Sequence, residues 1–164
     1  MTNIMKLHAK ASWLSLLAPL LLTGLALIVL PALSSAVTIG EESGGGVVFY
    51  VDASKKHGLI ASRSDMEGRS SGCPKGFFTW IDAQAACRNY VSCDYQDWFM
   101  PNKEQLNLLY RHKSALEQFP FSYTYYWSSS EDSAGNVWVQ SFGTGVQGRN
   151  FKINSNRVRA VRAF

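Results

Sequence analysis

From Phe121 to the end, small polar residues cut the chain at intervals of about ten, as short antiparallel strands require. The pieces read SYTYYWSSS, NVWVQSF, a GTG turn, VQGRNFKI, an NSN turn and RVRAVRAF. A second strand group lies upstream, where GVVFYVDASKKHGLIAS predicts a hairpin. Its arms are Val47 to Val51 and Gly58 to Ala61, joined by a polar turn carrying Asp52, Lys55 and Lys56. Between the two groups the apolar period changes to that of helices. Ala83, Ala86, Cys87 and Tyr90 recur at i, i+3, i+4 and i+7 with Thr79 placed to cap the start. A second helix begins after Pro101 with Asn102 as N-cap and Gln105 at the third position. Leu106, Leu109 and Tyr110 form its apolar stripe, and it is expected to end near Pro120. Strands at both ends and two helices between them predict an α+β domain whose termini lie close together.

The first 36 residues are of another kind. Lys6, His8 and Lys10 precede the uncharged run Trp13 to Leu30, followed by Pro31 and ALSSA. This predicts a secretory signal peptide cut before Val37, with Ser34 and Ala36 at the −3 and −1 positions. Left uncleaved, the 18-residue run just suffices to span a bilayer and would hold the protein at the membrane. Residues 37–46 then read as a flexible lead-in and 47–164 as one domain; the expected location is secreted, periplasmic or cell-surface. The cut also lowers the charge. Two of the 16 bases and none of the 12 acids precede it, leaving 14 bases against 12 acids, a net +2. Nucleic acid is therefore not expected as a partner. From Gly145 onward, however, there are five bases (Arg149, Lys152, Arg157, Arg159, Arg162) and no acid.

Disulfides persist outside the cytosol, and Cys73, Cys87 and Cys93 allow one bridge with one thiol left over. Cys73–Cys87 would tie a loop to a helix, and Cys87–Cys93 would close a short turn. The first is favoured because Cys87 falls on the apolar face of its helix. Neither His57 nor His112 stands at the spacing of a zinc site.

The blocks GGVVFYVDASKKHGLIAS, DWFMPNKEQLNLLY, YYWSSSE, VWVQSFGTG and NRVRAVRAF span residues 45–164 in order. Together they resemble the C-terminal domain family of the Legionella collagen-like protein, a domain of bacterial secreted proteins. Phe99 and Met100 replace the Arg and Leu of the usual DWRLP form. The resemblance implies a C-type-lectin-like fold and binding of sulfated glycosaminoglycans by a trimer. This chain has no Gly-x-y tract to trimerise it, so a homo-oligomer stays open.

The expected function is a non-enzymatic module that recognises a glycan or an acidic polysaccharide, as in adhesion. The alternative is a structural or protein-interaction domain of the cell envelope. Candidate ligand residues are Arg149 and Lys152, flanking a hairpin, with Tyr126 and Trp127 as a stacking platform for sugar, although Trp127 and Trp138 fit a small core better; Tyr125 and Tyr126 must point to opposite faces of a strand. Glu131, Asp132 and Asn136 supply the hard oxygens calcium would need, although SSSEDSAGN is equally ordinary loop chemistry. No nucleophile arrangement or phosphate loop is present. The closing arginines alternate faces: Arg157 and Arg159 share one and Arg162 takes the other, so one strand cannot offer all three to a single ligand. At least one is expected to need an internal acid, for which Asp97 and Glu104 are the candidates.

Overall fold

A computed structural model describes residues 37–118 and 120–164. The expected signal peptide, residues 1–36, lies outside them. The fold is α+β. Strands β1 (Glu42–Ser43), β2 (Gly46–Val51) and β3 (Gly58–Ala61) precede helices α1 (Trp80–Arg88) and α2 (Lys103–Arg111). One turn of 3₁₀ helix (Lys113–Leu116) follows, and then β4 (Tyr125–Glu131), β5 (Asn136–Ser141), β6 (Gln147–Phe151) and β7 (Val161–Ala163). They make two antiparallel sheets, ordered β1-β2-β3-β7 and β4-β5-β6. The last strand thus returns to the first hairpin: Leu59 pairs with Ala163 and Ala61 with Val161.

Both faces of the first sheet are covered. Val47, Phe49, Leu59, Ala61 and Val161 pack with Leu106 and Leu109 of α2, Leu116, Tyr126 and Phe142. Val48 and Ile60 belong to the other apolar cluster, with Ala83 and Cys87 of α1, Trp98, Trp127, Val137 and Val139. This double burial explains why GLIA is buried throughout and does not alternate. Single bridges tie connecting segments to the sheets, Arg157 to Tyr126 of β4 and Phe99 to Val161 of β7, so the DWFMP block is stitched to the closing strand.

Both helix starts form as their caps predict. Thr79 accepts from the Asp82 N–H, and Asn102 and Gln105 form a reciprocal capping box (2.8 and 2.9 Å). The end of α2 does not. The helix stops at Arg111, where the His112 N–H bonds back to Leu108 and Tyr110 and the chain tightens into the 3₁₀ turn well before Pro120. The lead-in also differs from expectation. Its Gly40 N–H donates to the Val48 carbonyl (2.8 Å) and β1 pairs with β2, because the open edge of β2 offers unpaired backbone groups. In the GTG turn, Gly145 has φ +81°, and a β-carbon there would sit 2.5 Å from the Tyr110 ring, so only glycine fits.

Candidate functional site

The expected sugar platform is not on the surface. Tyr126 and Trp127 are both 0% exposed, sealed between the sheets and helices. The Trp127 indole N–H donates to the Phe78 carbonyl (2.7 Å); the Tyr126 hydroxyl donates to Asp65 (2.7 Å) and accepts from the Ser122 N–H. Burial, with the Asp65 charge second, pushes the Tyr126 hydroxyl far above the usual phenol range. Large rings with satisfied polar tips are the usual contents of a small core, and that use took precedence over ligand contact. The neighbouring Tyr125 is the exposed member of the pair.

Arg149 and Lys152 do reach the surface, but each meets one of the residues offered for calcium. Arg149 Nε lies 3.4 Å from Asp132, and Lys152 Nζ lies 2.5 Å from Glu131. The Asn136 side chain donates to Ser133 Oγ within the β4–β5 turn. The two carboxylates are thus already matched by cations, and a calcium ion would have to displace both. Among the described residues no group of three or more His, Cys, Asp or Glu is placed to hold a metal.

The three thiols are free, so no bridge forms in either proposed pairing. Cys87 faces the core, and burial pushes its thiol far up. Cys93 sits exposed at the tip of a tight turn, where Cys93 (φ 49°) and Asp94 (φ 68°) are both left-handed and Ser92 and Tyr95 exchange backbone bonds. Cys73 lies in its own turn, its N–H bonded to the Ser70 carbonyl. The helical periodicity that selected Cys87 as a partner instead marks it as a small core residue.

What the fold does assemble around the second sheet is a set of cations held over aromatic rings. Trp138 of β5 pairs across strands with Arg149 of β6, whose Cζ stands 5.5 Å from the indole centroid. Lys103, first residue of α2, brings its ammonium to 3.2 Å from the same ring. Its position is held from both sides: its backbone N–H donates to Ser130 Oγ of β4 (2.9 Å) and its carbonyl accepts from the Gln147 side chain of β6 (3.1 Å). Lys152 lies over a second indole, Trp80, at 4.6 Å. Lys103 makes no ion pair among the described residues. Sequence alone does not single out Lys103, and it reads Trp138 as a core ring. Lys103 was legible as a helix-start residue, but its meeting with Trp138 depends on how α2 docks on the sheet.

The closing arginines are divided between two acids. Arg162 makes a two-pronged pair with Asp97 (2.7 and 2.9 Å), as the DWFMP acid suggested. That contact holds the Asp97 carboxyl below the usual range, against the smaller opposing effect of burial. A depressed acid stabilises above its unfolded value and ceases to as pH falls through its folded value. The stability gap between the native protein and Asp97→Asn is therefore expected to be fully present at neutral pH, about 1 kcal/mol for this half-open pair, and to shrink below pH of about 4. Chemical denaturation at a series of pH values measures it; a gap that is constant down to acid would contradict the pairing. Arg159, 1% exposed, instead meets Asp65 (2.8 Å), and Arg157 faces the same carboxylate at 3.6 Å. Glu104 takes no part in these pairs.

Two small antiparallel sheets, two capped helices between their strands and a closing segment held by arginine–carboxylate pairs define an α+β domain with cations held over aromatic rings. The chain belongs to the Lcl C-terminal domain family, which it matches over residues 53–162. No curated protein matches it.

Proposed function

We propose that this domain is a non-catalytic binding module for an acidic extracellular glycan, and that Lys103, Trp138 and Arg149 form its contact surface. The observation that carries this is the convergence of two cations on one indole. The ring holds two flexible side chains in place before any ligand arrives, which lowers the ordering cost of binding. Their outward N–H groups remain able to meet sulfate or carboxylate. Glu131 and Asp132 offset part of the charge of Lys103, Arg149 and Lys152, leaving a local surplus of one. Affinity is accordingly expected to be moderate and sensitive to salt. Cys87, buried and with its thiol pushed up, is unsuited to nucleophilic attack.

Retention on heparin resin at low ionic strength, lost at moderate salt and in a Lys103→Ala/Arg149→Ala double variant, is the expected result. Flow-through of the native protein at low salt would refute the proposal. A second reading, a protein-contact domain of the cell envelope, is favoured by Val146, Phe151 and Ile153, which are exposed beside the open edge of β6. It predicts flow-through on heparin together with capture of an envelope protein that is lost in Phe151→Ser.

A further inference from the structure

Arg157 is anchored at its root and only loosely paired at its tip, where Asp65 is an ion-pair partner at 3.6 Å. Its N–H donates to the Tyr125 carbonyl (3.2 Å), its carbonyl accepts from Trp127 (2.9 Å), and the preceding Asn156 exchanges backbone bonds with Phe78. From that fixed point the guanidinium lies over the Phe77 ring, with Cζ 4.8 Å from its centroid. Gly76 backs it closely. A β-carbon there would stand 2.8 Å from Nη1, and its φ of +81° independently favours glycine.

The side chain is only 26% exposed, yet its guanidinium makes no hydrogen bond among the described residues, and Nε is buried with no partner. Asp65 does not fill the gap. It stands 3.6 Å from Nη1, beyond hydrogen-bond reach, and each of its oxygens already accepts a shorter bond: Arg159 Nε donates to Oδ1 at 2.8 Å and the Tyr126 hydroxyl to Oδ2 at 2.7 Å. One carboxylate therefore serves two guanidinium groups, and the cluster carries a surplus positive charge. The side-chain amide nitrogen of Asn156, the preceding residue, is buried without a partner as well. Nε is the buried orphan, whereas the Nη1–Nη2 edge is not buried, and an open planar fork beside a surplus charge is the chemistry of an oxyanion receptor.

The loop that carries Gly76 and Phe77 adds to it. Gly76 N–H bonds to the Gly68 carbonyl and Ser70 N–H to the Phe77 carbonyl, which brings its two arms together. Arg69 and Lys75 are exposed, one on each arm, with Glu67 as the adjacent acid.

We propose that Arg157, stacked on Phe77 and backed by Gly76, anchors an oxyanion site that takes a carboxylate or sulfate group of an acidic sugar. With Nε buried, the available fork is the Nη1–Nη2 edge. The sugar rests on the acidic-glycan proposal above; the oxyanion chemistry does not, and it uses none of Lys103, Trp138 or Arg149.

The test is an NMR titration of the ¹⁵N-labelled protein with sodium glucuronate, sodium sulfate and sodium chloride at matched ionic strength. The backbone amides of Gly76 and Phe77 and the Arg157 Nε–H are followed. Saturable shifts with glucuronate alone assign a carboxylate, with sulfate alone a sulfate ester, and with both a general oxyanion site. Arg157→Lys, which keeps the charge and loses the fork, is expected to weaken the Gly76 and Phe77 response by about tenfold or more. Shifts that do not saturate, that chloride reproduces, or that Arg157→Lys leaves unchanged would overturn the site. Loss of heparin retention in the Lys103 and Arg149 variant with these shifts intact separates the two sites. Absence of heparin binding with the shifts intact would remove the glycan surface and leave the oxyanion site standing.

Discussion

Replacing Asp65 with alanine is expected to cost the domain about 3–5 kcal/mol of unfolding free energy, a large share of the roughly 5–15 kcal/mol that holds a native domain together. Asp65 is the acid for Arg159, which is 1% exposed and has no route to water. Arg159 also donates to the carbonyls of Ser62 (3.1 Å) and Pro120 (3.0 Å) and lies 4.0 Å from the Phe121 ring centroid. Those contacts position a cation without neutralising it. Removing the carboxylate leaves a buried positive charge, a second one on Arg157 beside it, and a Tyr126 hydroxyl without its acceptor. Urea unfolding followed by tryptophan fluorescence measures the loss. Tyr126→Phe, which removes only the hydroxyl, should cost about 1 kcal/mol, so the charge can be separated from the hydrogen bond. A loss below about 1 kcal/mol for Asp65→Ala would mean that Arg159 is not held as a buried ion.

Trp127→Ala is expected to be comparably damaging, about 3–5 kcal/mol, by opening a cavity in the centre of the molecule. Trp127 is 0% exposed and shares the larger apolar cluster with Val48, Ile60, Trp98 and Val137, so it fastens the two sheets to α1. Trp127→Phe separates two contributions. It keeps most of the apolar volume but leaves the Phe78 carbonyl without the indole N–H, for about 1–3 kcal/mol. Neither substitution is expected to alter heparin retention at temperatures where the variant stays folded. A Trp127→Phe protein of native stability that has lost retention would return this ring to the ligand surface.

The elements whose signals are local were legible. Thr79 and Asn102 start their helices because a cap needs only a side-chain oxygen three residues from an N–H. Alternation along the closing segment correctly divided Arg157 and Arg159 from Arg162, and Asp97 is the partner of Arg162. Asp65 was not legible as the acid for Arg159, because it lies 94 positions away in a stretch of Gly, Ser and charge that reads as open loop. Tyr126 and Trp127 were read as ligand residues and proved to be core, since an aromatic run looks the same whether a helix covers it or not. The cysteines failed for a related reason: spacing along the chain carries no information about which way Cys73 and Cys93 turn relative to Cys87.

The α+β class, the two helix starts, the first hairpin and the need for an internal acid beneath the closing arginines can be read from the chain alone. Each follows from period, capping or charge within a few residues. Packing settles which acid meets which arginine, brings Lys103 and Arg149 together on Trp138, and leaves the Arg157 Nη edge open. Those outcomes depend on burial and on distances between residues remote in sequence. They are set when the second sheet docks against α2 and the last strand returns to β3.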